Sequence, residues 1–159
     1  MKIYHGSNME VAYPKIKEKL RALDFGAGFY LTSSRTQAEK WAKIVAKRRR
    51  EGQPIVNIYE LDENKYEQLK VLKFETANGE WLDFVVANRK EQLLTVENDI
   101  VVGPVADDST LPVIDDYMDG RYTKEQAVER LMPQNLTDQY AFLTERALEA
   151  LRFERSEML

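Results

Sequence analysis

The chain of 159 residues contains no cysteine and a single histidine, and these two shortages exclude several kinds of chemistry. Without cysteine the protein has no disulfide bond, no thiolate nucleophile and no cysteine-based metal site. With His5 as its only histidine it cannot build a histidine-rich zinc site, and a Ser-His-Asp triad would have to use His5. We therefore expect no bound metal.

Long apolar runs are also missing. No stretch approaches the length that spans a membrane, and the N-terminus lacks the charged-then-apolar pattern of a secretion signal. These absences predict a cytoplasmic protein without a membrane partner. The formal charge of −4, from 23 basic and 27 acidic residues, argues against a surface that coats nucleic acid but allows a local basic patch.

Glycine-rich phosphate-binding motifs of the GxGxxG and GxxxxGK[ST] kinds are absent, and no βαβ unit repeats. These absences disfavour Rossmann and P-loop folds. Short predicted strands and helices alternate irregularly instead. The sequence predicts one domain over residues 1–159, of the α+β class, with one or two small and mostly antiparallel sheets.

The segment from Phe25 to Trp41, FGAGFYLTSSRTQAEKW, combines the strongest local patterns of the chain. Its aromatic and β-branched residues predict a short strand over Phe29–Thr32. Ser34 and Gln37 fit a capping box at the start of a helix. Apolar residues then recur at helical spacing and predict a buried helix face: Ala38, Trp41, Ala42 and Val45. Tyr30 and Trp41 are interpreted either as core aromatics or as parts of a site.

Other elements are predicted from alternation, caps and turn residues. We expect the helix after Ser34 to end near Gly52, as a C′ residue. Further strands are predicted at Lys2–His5, Ile55–Leu61, Lys70–Phe74, Asp99–Val105 and Gln139–Leu143. Further helices are predicted from Trp81 to about Asn88, from the capping box Thr123–Gln126 to a point before Pro133, and from Thr144 through Leu151.

Two charged runs have ordinary structural explanations. The cations of Lys47–Arg50 favour a helix C-terminus, although four in a row also suit phosphate contacts. The pair Asp107–Asp108 is typical of a turn and is weak evidence for metal binding. A lone histidine such as His5 is commonly a structural hydrogen-bonding group, so a further pattern is needed to place it in a site.

Three short motifs follow one another along the chain: His5-Gly6-Ser7, Gly28-Phe29-Tyr30-Leu31-Thr32 and Gln139-Tyr140-Ala141-Phe142. Their order resembles the ADP-ribosyltransferase superfamily, in its histidine-tyrosine-glutamate branch. Nearly the whole chain also resembles a bacterial domain family of unknown function within that superfamily, through YHGS, LDFGAGFYLT, QAEKWA, WLDFVVANR and DIVVGPVADD. The resemblance implies two small apposed sheets that form a cleft for NAD, flanked by helices.

The resemblance also implies residue roles. His5 would bond the adenine-side ribose, and the backbone of Gly6 would hold the nicotinamide carboxamide. Tyr30 and Trp41 would sandwich the nicotinamide ring. Ser7 and Gly28 belong to the same cofactor-binding motifs, with NAD as substrate. Arg21 or Arg35 would meet the pyrophosphate, although no motif fixes either.

The chain departs from that branch at its catalytic carboxylate, because Gln139 stands where the glutamate is expected. Glutamine accepts a hydrogen bond but brings no negative charge. Asp138 or Glu145 is a candidate to supply that charge. A second departure is Ala38. In the poly(ADP-ribose) polymerases of that branch, a serine at this position bonds the carboxamide. The missing glutamate disfavours poly(ADP-ribose) elongation.

These features predict a mono-ADP-ribosyltransferase, a glycosyltransferase that acts on NAD and modifies a protein or nucleic-acid acceptor. His5, Tyr30 and Gln139 would be its catalytic residues. The resemblance implies a bacterial or phage toxin or defence effector, with an antitoxin protein as a partner if it is toxic. The alternatives are a non-catalytic module that binds NAD or ADP-ribose, an NAD glycohydrolase, and a protein in which these residues merely pack.

Overall fold

A computed structural model describes residues 1–16, 24–90, 96–106, 109–131 and 137–159. The strands are β1 (Lys2–Ser7), β2 (Phe29–Leu31), β3 (Ile55–Leu61), β4 (Val71–Lys73), β5 (Ile100–Pro104), β6 (Asp138–Phe142) and β7 (Leu151–Met158). The helices are α1 (Arg35–Arg49), α2 (Glu63–Glu67), α3 (Gly79–Arg89), α4 (Leu111–Met118), α5 (Lys124–Leu131) and α6 (Glu145–Leu148).

The strands form two small sheets. The first has the order β1-β3-β7 and is antiparallel throughout. The second has the order β2-β6-β5-β4, in which only β4 and β5 run parallel among the described pairs. A single antiparallel bridge between Tyr4 and Thr32 joins β1 to the end of β2. The predicted α+β class with small, mostly antiparallel sheets is confirmed.

Apolar residues fill three layers because alternate side chains of each strand point to opposite faces. The inner faces of the sheets meet in one core, with Ile3 and Tyr59 from the first sheet against Phe142 from the second. On the outer face of the second sheet, α3, α4 and α5 bury Trp81, among others. Helix α1 covers the outer face of the first sheet through Ala38.

Helix α1 begins as the sequence predicts and differs at its end. Ser34 caps it by accepting from the Gln37 amide at 3.2 Å. The Gln37 side chain does not complete the capping box, because its Oε1 accepts from Thr137 at 3.2 Å. The left-handed residue that ends the helix is Arg50, with φ 52°, and Gly52, with φ 73°, lies two residues later.

The largest error of the sequence prediction concerns the C-terminus. The helix capped by Thr144 ends at Leu148 instead of continuing through Leu151. Leu151–Met158 is β7, the third strand of the first sheet. Its pairing with β3, 90 residues or more away in sequence, gives no local pattern, and its exposed and half-buried residues alternate irregularly. Helices α2 and α4 are also absent from the predictions.

The remaining predicted strands and the α3 and α5 helices are confirmed to within a residue or two. The capping box of α5 is complete, since Thr123 and Gln126 bond each other's backbone amides at 2.9 and 3.2 Å. Within the described ranges, no helix has the length and apolar character needed to cross a membrane.

Candidate functional site

A cleft of about 550 Å³ lies beside the bridge between Tyr4 and Thr32, where β1 of the first sheet and β2 of the second sheet meet. One wall is α1, and the other is formed by the segments before β2, at the end of α3 and after β5. Five of the predicted site residues line it: His5, Gly6, Tyr30, Trp41 and Gln139. The cleft therefore brings together β1 of the first sheet, β2 and β6 of the second sheet, and α1.

A hydrogen bond to the backbone of Tyr30 fixes the ring of His5. Its Nδ1 lies 2.7 Å from the Tyr30 carbonyl oxygen, and its ring packs on Phe29 at a centroid distance of 4.2 Å. A carbonyl only accepts, so we assign the proton to Nδ1 and leave Nε2 as a hydrogen-bond acceptor. Burial lowers the pKa of His5 to about 4, so the ring is neutral at physiological pH.

This depressed pKa predicts an acid-dependent loss of stability. The unfolded chain binds a proton on His5 near pH 6.5 and the folded chain near pH 4, so stability falls as the pH decreases between those values. Relative to His5→Gln, the wild-type protein should lose about 2–3 kcal/mol more of its unfolding free energy between pH 7 and pH 4.5. Denaturant titrations at both pH values measure this. Parallel losses in the two proteins would contradict it.

Gly6 presents its backbone to the cleft and its α-carbon to α1. A Cβ at this position would lie 2.1 Å from the Ala38 carbonyl oxygen and 2.7 Å from the Ala42 nitrogen. Tyr4 exchanges two 2.9 Å bonds with Thr32, whereas Met1 bonds Leu61 of β3. Because backbone groups alternate along a strand, the N–H and C=O of Gly6 point the same way as those of Tyr4, away from β3.

Tyr30 holds the loop that precedes it. Its hydroxyl donates to the Gly26 carbonyl at 2.6 Å and accepts from the Phe25 amide at 2.9 Å. Burial raises the pKa of the Tyr30 phenol, which therefore stays neutral. The hydroxyl is occupied by the loop, so what Tyr30 offers to a ligand is its ring.

Tyr30→Phe should separate these two roles. Removing the hydroxyl leaves the Phe25 amide and the Gly26 carbonyl without this partner, and we expect a loss of about 1–2 kcal/mol of stability. The ring remains, so ligand binding measured below the melting temperature should stay within a few-fold of wild type. Tyr30→Ala is the comparison, and equal loss of binding in both variants would refute the assignment.

Gln139, on β6, is 3% exposed, and its Nε2 has no hydrogen-bond partner within the described residues. Beside it lies Asp24, whose pKa is raised by burial and lowered in turn by Arg89, the Ala106 amide and Gln139. Arg89 donates from Nε and Nη2 to the same Asp24 oxygen, Oδ1, at 2.9 and 2.7 Å. The Gln139 amide thus makes no hydrogen bond of ordinary geometry within the described residues, and its polar neighbour is the Asp24 carboxyl, whose pKa it lowers.

The cleft is more basic than the protein as a whole. Lys40 and Arg48 lie on α1 four residues before and four residues after Ile44, and Arg89, which is paired with Asp24, adds a third cation on the opposite wall. Asp24 is the only carboxylate that lines the cleft among the residues the structure describes. An anionic group is therefore favoured as a ligand. Trp41 lies half-buried on the same helix face.

Other predicted residues lie away from the cleft. Ser7 ends β1 in a buried position, and Gly28 packs against the Phe142 carbonyl, which an added Cβ would approach to 2.6 Å. Arg35 forms ion pairs with Glu39 and Glu157 and does not line the cleft. Arg21 and the Asp107–Asp108 pair lie outside the described residues.

Neither candidate for the missing charge lines the cleft. The Asp138 carboxylate accepts from the Ser33 amide and hydroxyl at 3.1 and 2.7 Å, and it fixes the turn into α1. Glu145 is exposed in the first turn of α6. The sequence analysis missed Asp24 and Arg89, which are 65 residues apart. Their only sequence indication is their place inside the LDFGAGFYLT and WLDFVVANR segments.

Residues 1–153 match the family described as protein of unknown function (DUF3990). The match covers nearly the whole chain, and the protein belongs to this family. No curated protein and no solved structure matches the chain significantly.

Proposed function

We propose that the protein is an NAD-dependent mono-ADP-ribosyltransferase with an ADP-ribosyltransferase fold. The observation that carries the proposal is the convergence of His5, Gly6, Tyr30, Trp41 and Gln139 on one cleft. Four of these residues come from three separate motifs of the sequence, and Trp41 comes from α1. A protein in which they served only as core would not need them to face a common solvent-accessible space.

Each group in the cleft suits a part of NAD. The outward N–H and C=O of Gly6 match the acceptor and donor of a carboxamide, and the aromatic rings suit a flat nicotinamide. The neutral His5 acceptor suits a ribose hydroxyl. Arg35 does not line the cleft, so the candidates to bind the pyrophosphate are the cations that do: Lys40, Arg48 and Arg89.

The reaction breaks the bond between C1′ of the ribose and the nicotinamide nitrogen. The electron pair goes to that nitrogen and neutralises its positive charge, so neutral nicotinamide leaves and C1′ becomes oxocarbenium-like. A lone pair of the acceptor then forms the new bond to C1′, and the acceptor proton passes to water. The aromatic rings of Tyr30 and Trp41 favour the neutral leaving group as a stacking partner in the cleft.

Incubation with adenine-labelled NAD and a cell extract tests the proposal. The labelled products are divided and digested with protease or with nuclease. Protease-sensitive label identifies a protein acceptor, and nuclease-sensitive label identifies a nucleic acid. If the protein is toxic on expression, an antitoxin partner is expected, and co-expression of neighbouring genes would reveal it.

Two results would replace this proposal. Free nicotinamide without macromolecular label, whether or not extract is present, would make the protein an NAD glycohydrolase. Saturable NAD binding by calorimetry with no nicotinamide release would make it a binding module, an outcome that the neutral Gln139 favours. Absence of both binding and release would leave the cleft residues with a structural role only.

A further inference from the structure

We propose that Asp24 and Gln139 act together on one ribose hydroxyl and thereby replace the single glutamate of related enzymes. This inference rests on the proposed function. The Gln139 Nε2 donates to the hydroxyl oxygen, and the hydroxyl donates its proton to the Asp24 carboxylate. A hydroxyl donates and accepts at a single oxygen, so one ribose hydroxyl can bond both side chains at once.

The first support is the unpaired Nε2 of Gln139. The amide is buried and makes no hydrogen bond of ordinary geometry within the described residues, so a ligand hydroxyl placed between it and Asp24 would satisfy it. The same amide lies beside the Asp24 carboxyl. A donor and an acceptor therefore adjoin at the surface of one cavity.

The second support is the way in which Arg89 holds Asp24. Both guanidinium bonds go to Oδ1, so Oδ2 is outside the Arg89 contact. Burial raises the pKa of the Asp24 carboxyl, and the Arg89 guanidinium opposes that rise by favouring the ionised form. Arg89 therefore holds the carboxylate by one oxygen, and the Ala106 amide and the Gln139 side chain are the other groups of the cleft wall that bond the carboxyl.

The third support is charge. The oxocarbenium-like centre is stabilised by a nearby negative charge, which Gln139 lacks. Asp24 is the one acidic group that the described part of the cleft provides. Asp138 is bonded to Ser33, and Glu145 lies outside the cleft. Asp24 therefore carries the electrostatic part of the role, and Gln139 carries the positioning part.

Three variants test the inference through nicotinamide release and NAD binding. Asp24→Asn should reduce kcat by roughly 10²-fold while the dissociation constant of NAD changes by less than about fivefold. Gln139→Glu should leave two adjoining carboxylates that compete for one proton and should also be impaired. The double variant D24N/Q139E moves the carboxylate to β6 and should recover at least about a tenth of the wild-type kcat.

The rescue distinguishes a ligand-binding pair from a structural ion pair. Arg89 lacks its carboxylate partner in D24N and in the double variant alike, so a merely structural role predicts equal loss in both. Asp24→Asn with more than half of the wild-type kcat would overturn the inference, as would a double variant no better than D24N. Thermal melting of all three variants checks the fold.

Binding of NAD analogues gives a result even if the wild-type protein does not turn NAD over. Analogues that lack the 2′- or the 3′-hydroxyl of the nicotinamide-side ribose should bind the wild type unequally, and Asp24→Asn should remove most of that preference. Equal discrimination by both proteins would overturn the inference while leaving the proposed function intact. A wild-type protein that does not bind NAD would overturn both.

Discussion

His5→Ala should lower ADP-ribose transfer by at least about 10²-fold while the protein stays folded. The physical reason is that His5 is a neutral acceptor whose direction is set by the 2.7 Å contact between Nδ1 and the Tyr30 carbonyl oxygen. Alanine removes both the acceptor and the contact that orders it. Label incorporation from NAD measures the effect, with calorimetry of NAD binding beside it.

Ser7→Ala is the matched control for this variant. Ser7 lies on the same face of β1 two residues further along and does not line the cleft. We expect Ser7→Ala to retain transfer within about threefold, although Ser7 belongs to the same motif as His5. If the two variants lose activity equally, the ligand extends beyond the cleft and the site assignment is wrong. If neither loses activity, His5 is structural.

Gly6→Ala should unfold a large fraction of the protein or shift its melting temperature strongly. The added Cβ would lie 2.1 Å from the Ala38 carbonyl oxygen and 2.7 Å from the Ala42 nitrogen, and both are backbone atoms of α1. Backbone does not rotate away as a side chain does, so the whole helix must move off the first sheet. We expect a loss of about 3 kcal/mol or more in unfolding free energy, measured by denaturant titration.

Gly79→Ala serves as the control for the glycine substitution. At this position the added Cβ would meet the Lys124 side chain at 3.0 Å, and that flexible chain moves at little cost. Gly79 begins α3, where alanine is tolerated. We expect a change within about 1 kcal/mol. A Gly6→Ala protein as stable as the control would show that α1 does not rest on β1 as closely as described.

Local sequence patterns were sufficient to predict the helices and strands whose structure depends on neighbouring residues. Strand β3 is a run of mostly apolar and β-branched residues that is buried on both faces, and α5 carries a complete capping box. Both elements could therefore be predicted from their own residues. Strand β7 could not, because its partner β3 lies far away in sequence and its residues are half exposed. Only tertiary pairing distinguishes it from a continuation of α6.

The candidate site divides in the same way. His5, Tyr30 and Gln139 were proposed from motifs, and their common cleft follows from the way β1, β2 and β6 meet. Asp24 and Arg89 have no such pattern, because an ion pair across 65 residues depends on how the loop before β2 packs on α3. We could propose Asp24 in place of Asp138 and Glu145 only once the fold showed which carboxylate lines the cleft.

The open edge of β1 has a consequence for small molecules. Beyond the bridge from Tyr4 to Thr32, the N–H and C=O of Gly6 are the next pair of groups on this edge, and no strand among the described residues pairs with them there. A planar amide fills such a rung with one donor and one acceptor, much as an added strand would. We therefore expect simple aromatic carboxamides, with no ribose or phosphate at all, to compete for this cleft and to serve as starting points for inhibitors.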